Sequence, residues 1–252
     1  DLETGKQLIT HTEKYFKEDQ IFRIDHYLAK ESAQNIFTFR RHNPVFASSW
    51  NSDHIKQISV IAHEKIGVEG RAGFYDDVGA LRDLVQSHLL QLLALVMCDM
   101  NEVDNDIALH GAKQTLLASL HPIDVTKTVR GQYDTYREEV ENVQSHTETY
   151  VRLELTSALP KWQGTTLKIE TGKALASKKT EIEVLFLDDK HNTNELTFRI
   201  QPNEGIDLQL TAKKPGFSMQ TQRVGMDLSD HGVFYEAVQR DAYELVLVDA
   251  LV

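Results

Sequence analysis

The sequence predicts an α+β protein in which helices pack on one face of a large, mainly antiparallel β-sheet. In the first half of the 252-residue chain, apolar residues recur at the three- and four-residue intervals of helices. Most of the second half consists of short segments in which apolar and polar residues alternate, with turn residues between them. Helices that come first and short returning strands that follow are typical of a layered α+β fold.

The first half predicts helices and two strands. The helices are expected at residues 2–16, 29–40, 77–98 and 108–120. The segment 77–98 has the clearest helical periodicity. Pro44 follows the second segment, and proline ends helical geometry at the residue before it. Strands are expected at residues 20–24 and at residues 55–62, where β-branched residues are frequent.

The second half predicts six strands, each with alternating apolar and polar residues. They are expected at residues 150–157, 165–170, 180–187, 195–200, 205–212 and 243–248. The return at residues 188–190 is short, which favours antiparallel neighbours.

Charge and composition exclude several classes of partner. The 27 basic and 38 acidic residues give a net charge of -11, which would repel nucleic acid and anionic membrane surfaces. The longest apolar run, residues 89–98, is too short to span a bilayer. The single cysteine, Cys98, allows no disulfide within the chain and favours a reducing compartment, the cytosol.

Ionisable side chains are concentrated in residues 23–31, between a predicted strand and a predicted helix. A phosphate bound there would meet the free backbone N–H groups of the helix N-terminus and the Lys30 ammonium. The alternative is purely structural: Asp25 caps the helix, and Lys30 and Glu31 belong to a solvated face.

His88 falls on the otherwise apolar stripe of the predicted helix 77–98. An imidazole at such a position must find polar partners or bear a desolvation cost of about 1–3 kcal/mol. A hydrogen-bonded core histidine is one outcome. The other is a general base: if Asp25 accepts a hydrogen bond from one ring nitrogen, the second nitrogen can accept a proton from a sugar hydroxyl.

Three lysines, Lys173, Lys178 and Lys179, lie close together between two predicted strands. In a chain with a net charge of -11, an anionic ligand needs such a local basic cluster. The alternative is a lysine-rich loop that is simply solvated.

These segments resemble the glucose-6-phosphate dehydrogenase family. The family signature Asp-His-Tyr-Leu-Gly-Lys-Glu stands here as Asp25-His26-Tyr27-Leu28-Ala29-Lys30-Glu31, with alanine at the place of the glycine. Further blocks that resemble the family, in the same order, are residues 69–76, 81–83, 86–91, 152–155, 171–175, 201–204, 213–216 and 241–244. The resemblance covers nearly the whole chain.

The resemblance implies that the substrate is glucose 6-phosphate. His26, Tyr27 and Lys30 would hold its phosphate group. Glu64 and Asp83 would contact the sugar hydroxyls.

The resemblance also implies a catalytic pair. His88 would take the proton from the anomeric hydroxyl, and Asp25 would orient His88 while hydride leaves for a nicotinamide cofactor. Lys173, Lys178 and Gln201 would close the sugar pocket from the side of the sheet.

The implied domain organisation is that of a partial enzyme of the pentose phosphate pathway. Residues 1–28 would be the last helix and strand of a truncated Rossmann-type dinucleotide-binding domain, and residues 29–252 a substrate-binding and dimerisation domain, cut at both ends. No Gly-x-Gly-x-x-Gly occurs, so NADP or NAD is expected to be bound mainly by an upstream domain, with no cofactor-binding residues here and no metal.

The resemblance further implies a homodimer, or a dimer of dimers, that forms through the sheet. The 252 residues alone are expected to be inactive. The alternative is a sugar-phosphate-binding or dimer-forming module without catalysis.

Overall fold

The computed structural model describes residues 2–100, 103, 105–187, 194–229, 243, 244 and 247. Within these ranges eight strands form one sheet, in the order β2-β3-β4-β1-β5-β6-β7-β8. The strands are β1 (Ile55–His63), β2 (Val129–Gly131), β3 (Tyr150–Leu155), β4 (Thr166–Gly172), β5 (Lys179–Phe186), β6 (Glu195–Gln201), β7 (Gly205–Lys213) and β8 (Thr221–Ser229). Only the pair β1 and β4 is parallel, and the other neighbours are antiparallel.

The helices lie mainly in the first half of the chain. They are α1 (Leu2–Thr12), α2 (Glu31–His42), α3 (Pro44–Ala47), α4 (Ala72–Ala80), a π-helix (Leu81–Leu89), α5 (Leu90–Met97), α6 (Asp106–Ala118) and α7 (Tyr136–Glu139). Short 3₁₀ turns occupy Glu18–Gln20, Glu69–Arg71, Val125–Lys127 and Pro160–Trp162. No helix among the described residues is long and apolar enough to cross a membrane.

One face of the sheet packs against the helices to form the main core. Alternate residues of the central strands are buried, as in β4, where Leu167 and Ile169 are fully buried. Ile36 of α2 and Leu92 of α5 belong to the same cluster. Burial of each such side chain stabilises the fold by about 1.5–3 kcal/mol. The predicted α+β fold, with helices on a mainly antiparallel sheet, is confirmed.

The opposite face of β5 to β8 carries charged side chains. Arg199 on β6 forms ion pairs with Asp207 on β7 and Asp227 on β8, and Arg223 on β8 pairs with Glu195 on β6. Arg199 and Asp207 lie on neighbouring strands, whereas the other two pairs join β6 and β8 across β7. This face of the sheet is therefore polar.

Two predicted strands are wrong. Residues 21–25 have no regular structure, because a strand needs another strand to take its backbone hydrogen bonds, and none of the eight described strands pairs with this segment. Tyr243, Glu244 and Leu247 are helical, although their apolar spacing predicted a strand at 243–248. The remaining residues of that prediction, and the return at 188–190, lie outside the described residues.

The predicted helix 77–98 is three consecutive elements, α4, the π-helix and α5. Gly79, near the end of α4, has φ 69° and ψ 173°, which interrupts regular α-helical hydrogen bonding. The strand β8 was not predicted because it contains only three apolar residues, of which Met226 and Leu228 are exposed.

Candidate active site

The side chains of Asp25 and His88 face each other. Asp25 lies in the turn before α2, and His88 lies near the end of the π-helix. Asp25 Oδ1 is 3.0 Å from His88 Nδ1, and the side chains are 17% and 16% exposed respectively. The same oxygen accepts the backbone N–H of Tyr27 at 2.8 Å. The sequence-predicted catalytic pair is therefore in hydrogen-bond contact, in a largely desolvated position.

The carboxyl group of Asp25 is held in its ionised form. Burial raises its pKa, but the hydrogen bond and the charge interaction with His88, together with backbone N–H donors, outweigh burial and hold the pKa below its usual range. An ionised carboxylate only accepts hydrogen bonds, so Nδ1 of His88 must donate. In the neutral imidazole, Nε2 is then the proton acceptor.

Aromatic rings fix the orientation of the His88 imidazole. The Tyr27 ring stacks on it with a centroid distance of 4.6 Å, and His26 meets it edge-on at 4.4 Å. Tyr243 in turn stacks on His26 at 5.6 Å. Burial and the nearby charges of His88 and Lys30 lower the pKa of His26, partly offset by Asp25 and Asp83.

The start of the π-helix is held by Glu148, which precedes β3. Glu148 Oε1 accepts the backbone N–H of Leu81 at 3.0 Å, and the Glu148 carbonyl accepts that of Ala80 at 3.0 Å. Gly79 allows this approach, because a Cβ atom there would lie 2.7 Å from Glu148 Oε1. Glu148 thus caps the element that carries Asp83 and His88.

Gly79→Ala is expected to lower the free energy of unfolding by about 1–3 kcal/mol, because φ 69° with ψ 173° is accessible almost only to glycine. The added methyl group would also displace Glu148. Urea denaturation measures the change. Gly73→Ala on the same helix is the control: nothing lies within 4 Å of its new Cβ, and we expect a gain of roughly 0.5–1 kcal/mol. Equal stabilities of the two variants would contradict the strain at Gly79.

Glu64 and Lys173 lie together at the carboxyl end of the parallel strands β1 and β4. Lys173 Nζ is 2.7 Å from Glu64 Oε2, and the lysine side chain is only 5% exposed. The Glu64 N–H also donates to the Gly172 carbonyl at 2.9 Å. Lys173 Nζ lies 5.3 Å from the ring centroid of Tyr75. Two residues that were predicted separately as sugar contacts thus form one ion pair.

Tyr27 and Gln201 are linked through Thr180. Gln201 Nε2 donates to Thr180 Oγ1 at 3.2 Å, and Tyr27 is hydrogen-bonded to Thr180. Burial, followed by the negative charge of Glu64, raises the pKa of Tyr27 to about 12. The Tyr27 phenol therefore stays protonated, and its position connects the segment around Asp25 to the edge of the sheet.

Asp83 and the two remaining lysines lie at the margin of this group. Asp83 Oδ1 accepts from Arg71 Nη2 at 3.3 Å, and the Asp83 side chain is 18% exposed. Lys30 is the N-cap residue of α2. Lys178 is exposed in the loop before β5, whereas Lys179 pairs with Glu181. The predicted basic cluster of Lys173, Lys178 and Lys179 is therefore not a set of three free charges. Lys173 and Lys179 are paired with carboxylates.

Alanine at position 29 causes no backbone strain. In the described part of the chain, the non-glycine residues with positive φ are Glu69, Glu141 and Ala174, so Ala29 is not one of them. Its N–H donates to the Asp25 carbonyl at 3.1 Å, and the side chain is 9% exposed. The departure from the family signature fits this turn.

Four further residues at the site were missed from the sequence. They are Tyr75, Glu148, Thr180 and Tyr243. Tyr75 and Tyr243 lie within blocks that resemble the family, which is a usable signal. Glu148 and Thr180 act through contacts distant in sequence, so no local pattern marks them.

Two family models match the chain. "Glucose-6-phosphate dehydrogenase, C-terminal domain" matches residues 37–252, and "Glucose-6-phosphate dehydrogenase, NAD binding domain" matches residues 1–35. The chain is 38% identical to a glucose-6-phosphate 1-dehydrogenase of Borreliella burgdorferi, over 99% of the chain and 57% of that protein. It is 37% identical to the cytoplasmic isoform of Solanum tuberosum, over 100% of the chain and 51% of that protein.

Solved structures give the same result. A glucose-6-phosphate dehydrogenase in complex with its substrate glucose-6-phosphate matches with a TM-score of 0.94 and 32% identity, over 100% of this chain and 55% of that chain. A glucose-6-phosphate 1-dehydrogenase from Mycobacterium avium matches with a TM-score of 0.87 and 33% identity, over 99% and 56%. The chain thus spans about half the length of these relatives.

Proposed function

Because the chain belongs to the glucose-6-phosphate dehydrogenase family, we propose that it is the substrate-holding and proton-abstracting part of an enzyme that oxidises glucose 6-phosphate. The product is 6-phosphogluconolactone, in the pentose phosphate pathway. The observation that carries the proposal is the 3.0 Å contact between Asp25 and His88, in the turn that leads to Lys30 at the N-cap of α2. The relatives extend well beyond this chain, so the activity is that of a longer protein.

His88 acts as the general base in this reaction. Its Nε2 takes the proton of the anomeric hydroxyl, and the electron pair of that O–H bond forms the lactone carbonyl as hydride leaves C1. The carboxylate of Asp25 stabilises the imidazolium that forms, and Tyr27 keeps the ring in place by stacking.

The nicotinamide cofactor, NADP or NAD, supplies the hydride acceptor when bound. The 252 residues contain no Gly-x-Gly-x-x-Gly turn that would receive its pyrophosphate, so this chain does not fit the role of holding the cofactor's phosphates. Binding of the cofactor therefore belongs mainly to other parts of the protein.

Different residues hold the phosphate and the sugar. His26, Tyr27 and Lys30 offer ring N–H, hydroxyl and ammonium donors to the phosphate, near the N-terminus of α2. The sugar hydroxyls face Glu64 and Asp83.

The remaining sugar contacts come from the sheet. Lys173, Lys178 and Gln201 close the pocket there, with Lys173 fixed by its ion pair to Glu64.

Residues 1–28 belong to the dinucleotide-binding domain and residues 29–252 to the substrate domain. Leu8, Phe16 and Phe22 support this division, because they are 63%, 54% and 60% exposed and so are not part of the core of the substrate domain. The charged face of β5 to β8 is the surface we assign to the homodimer or dimer of dimers. The buried single thiol of Cys98 and a relative named as a cytoplasmic isoform support a cytoplasmic location.

Calorimetric titration of the 252-residue chain with glucose 6-phosphate tests the substrate assignment. We expect Lys30→Ala to weaken binding by about 10- to 100-fold, the equivalent of one charge-assisted hydrogen bond. Lys14→Ala, on the exposed segment after α1, is the matched control and should leave binding unchanged. Binding of glucose or inorganic phosphate as tight as that of glucose 6-phosphate would contradict the assignment.

A further inference from the structure

Asp25, His26 and His88 place three metal-ligating groups around one point. Each offers one ligand atom, and these atoms lie within 4.8 Å of one another. All three side chains are partly buried, so the cluster differs from the exposed carboxylate groups that are common on protein surfaces. We propose that these three residues form an inhibitory binding site for Zn²⁺.

The present arrangement needs two adjustments to hold the ion, a change of the His88 tautomer and a shorter distance from His26 to the other two ligands. Ligand atoms of a tetrahedral zinc site lie about 3.4 Å apart, since each is roughly 2.1 Å from the metal. Asp25 Oδ1 and His88 Nδ1 are 3.0 Å apart, and the proton that Nδ1 donates to Asp25 moves to Nε2 when Nδ1 binds the ion. The distances that must shorten are therefore those from the His26 ring nitrogen to the other two ligand atoms. The His26 ring must turn away from its edge-on contact with His88.

The surroundings hold the ligands in place. The Asp25 carboxylate is fixed by the backbone N–H groups of Tyr27 and Leu28, at 2.8 and 3.4 Å. Ring stacking on Tyr27 and Tyr243 orients the two imidazoles. Such outer contacts commonly decide metal affinity, because they reduce the ordering that binding requires.

The ligand set selects the kind of ion. Two imidazoles and one carboxylate suit Zn²⁺, whereas Mg²⁺ prefers an octahedral shell of oxygen atoms. Three protein ligands leave the fourth tetrahedral position to water. The positive charge of Lys30, which acts on His26, opposes binding, while Asp83 favours it.

Zn²⁺ at this site removes the base. A neutral imidazole has one nitrogen with a free electron pair, and the metal takes it; whichever nitrogen binds, the other carries the proton. His88 can then accept no proton from the sugar, and His26 is withdrawn from the phosphate. This inhibition rests on the function proposed above, whereas metal binding itself needs only the three side chains.

Co²⁺ is the probe, because tetrahedral Co²⁺ absorbs visible light far more strongly than the hydrated ion. Titration of the 252-residue chain should give a strong band that saturates at one ion per chain and disappears when Zn²⁺ is added, but persists with Mg²⁺. His26→Ala and His88→Asn should each weaken binding by more than about tenfold.

His63→Ala is the matched control. His63 Nε2 lies 3.0 Å from Glu170 Oε1, the same pairing of imidazole and carboxylate, but no third ligand was found there among the described residues. We expect the control to bind Co²⁺ as the parent does. Absence of the strong band in the parent, or equal losses in His63→Ala and His88→Asn, would overturn the site.

Calorimetry with saturating Zn²⁺ tests the inhibition, and glucose 6-phosphate should then bind at least about tenfold more weakly. Unchanged binding of glucose 6-phosphate would overturn the inhibitory role. Co²⁺ binding in a chain that binds no glucose 6-phosphate would instead contradict the proposed function and leave the metal site standing.

Discussion

Replacement of His88 by asparagine is expected to lower kcat by roughly 10²-fold or more in the enzyme proposed above, while KM for glucose 6-phosphate changes little. Asparagine is close in size to histidine and can still hydrogen-bond to Asp25, so the π-helix and the substrate pocket should persist. What disappears is the nitrogen that accepts the proton. Steady-state kinetics at several substrate concentrations separate the two constants.

Lys30→Ala provides the contrast. Lys30 lies at the N-cap of α2 and is assigned to the phosphate, so its loss should mainly raise KM. Circular dichroism before and after each substitution establishes that both variants are folded. If both substitutions had small, similar effects on kcat and KM, the roles of His88 and Lys30 would be purely structural.

The second large effect is expected on stability, from Lys173→Met. Methionine keeps the apolar length of the side chain, but the Glu64 carboxylate loses the ammonium that lies 2.7 Å away. Breaking a buried pair costs about 3–5 kcal/mol, and because Glu64 is 30% exposed we expect about 2–3 kcal/mol. For a chain of this size that lowers the melting temperature by roughly 5–10 °C.

Two variants isolate the cause of that loss. Lys178→Met removes an exposed lysine from the same loop and should change stability by less than about 0.5 kcal/mol. Adding Glu64→Gln to Lys173→Met removes the uncompensated charge and should restore much of the lost stability. If the Lys173→Met and Lys178→Met variants had the same melting temperature, the ion pair of Lys173 with Glu64 would contribute nothing to stability.

The sequence predicts site residues most readily where a polar side chain stands at a position that should be apolar or buried. His88 on an apolar helical stripe, and the ionisable segment around Asp25, both stand out because desolvation makes such positions costly without a partner. The structure brings these two segments into contact across 63 positions of sequence. Resemblance to the family then indicated which role each residue has.

Other features depend on contacts that no local pattern records. The apolar period of residues 77–98 does not separate a π-helix from an α-helix, and the cap at Leu81 comes from Glu148, 67 residues away. The sequence predicts free positive charge in the lysine-rich segment after β4. In the structure Lys173 is instead paired with Glu64, which is 109 residues away in the sequence. Residues 20–24 have the composition of a strand without a described neighbour to pair with.

The central claim is that Asp25 holds His88 in the tautomer whose Nε2 accepts the proton of glucose 6-phosphate. Long-range ¹H–¹⁵N spectra of the histidine rings, recorded at alkaline pH on the 252-residue chain and on Asp25→Asn, report the protonated nitrogen directly. His88 should carry its proton on Nδ1, should lose this preference in Asp25→Asn, and should shift at Nε2 when glucose 6-phosphate is added. A proton on Nε2 in the parent chain, or no response of His88 to glucose 6-phosphate, would contradict the account.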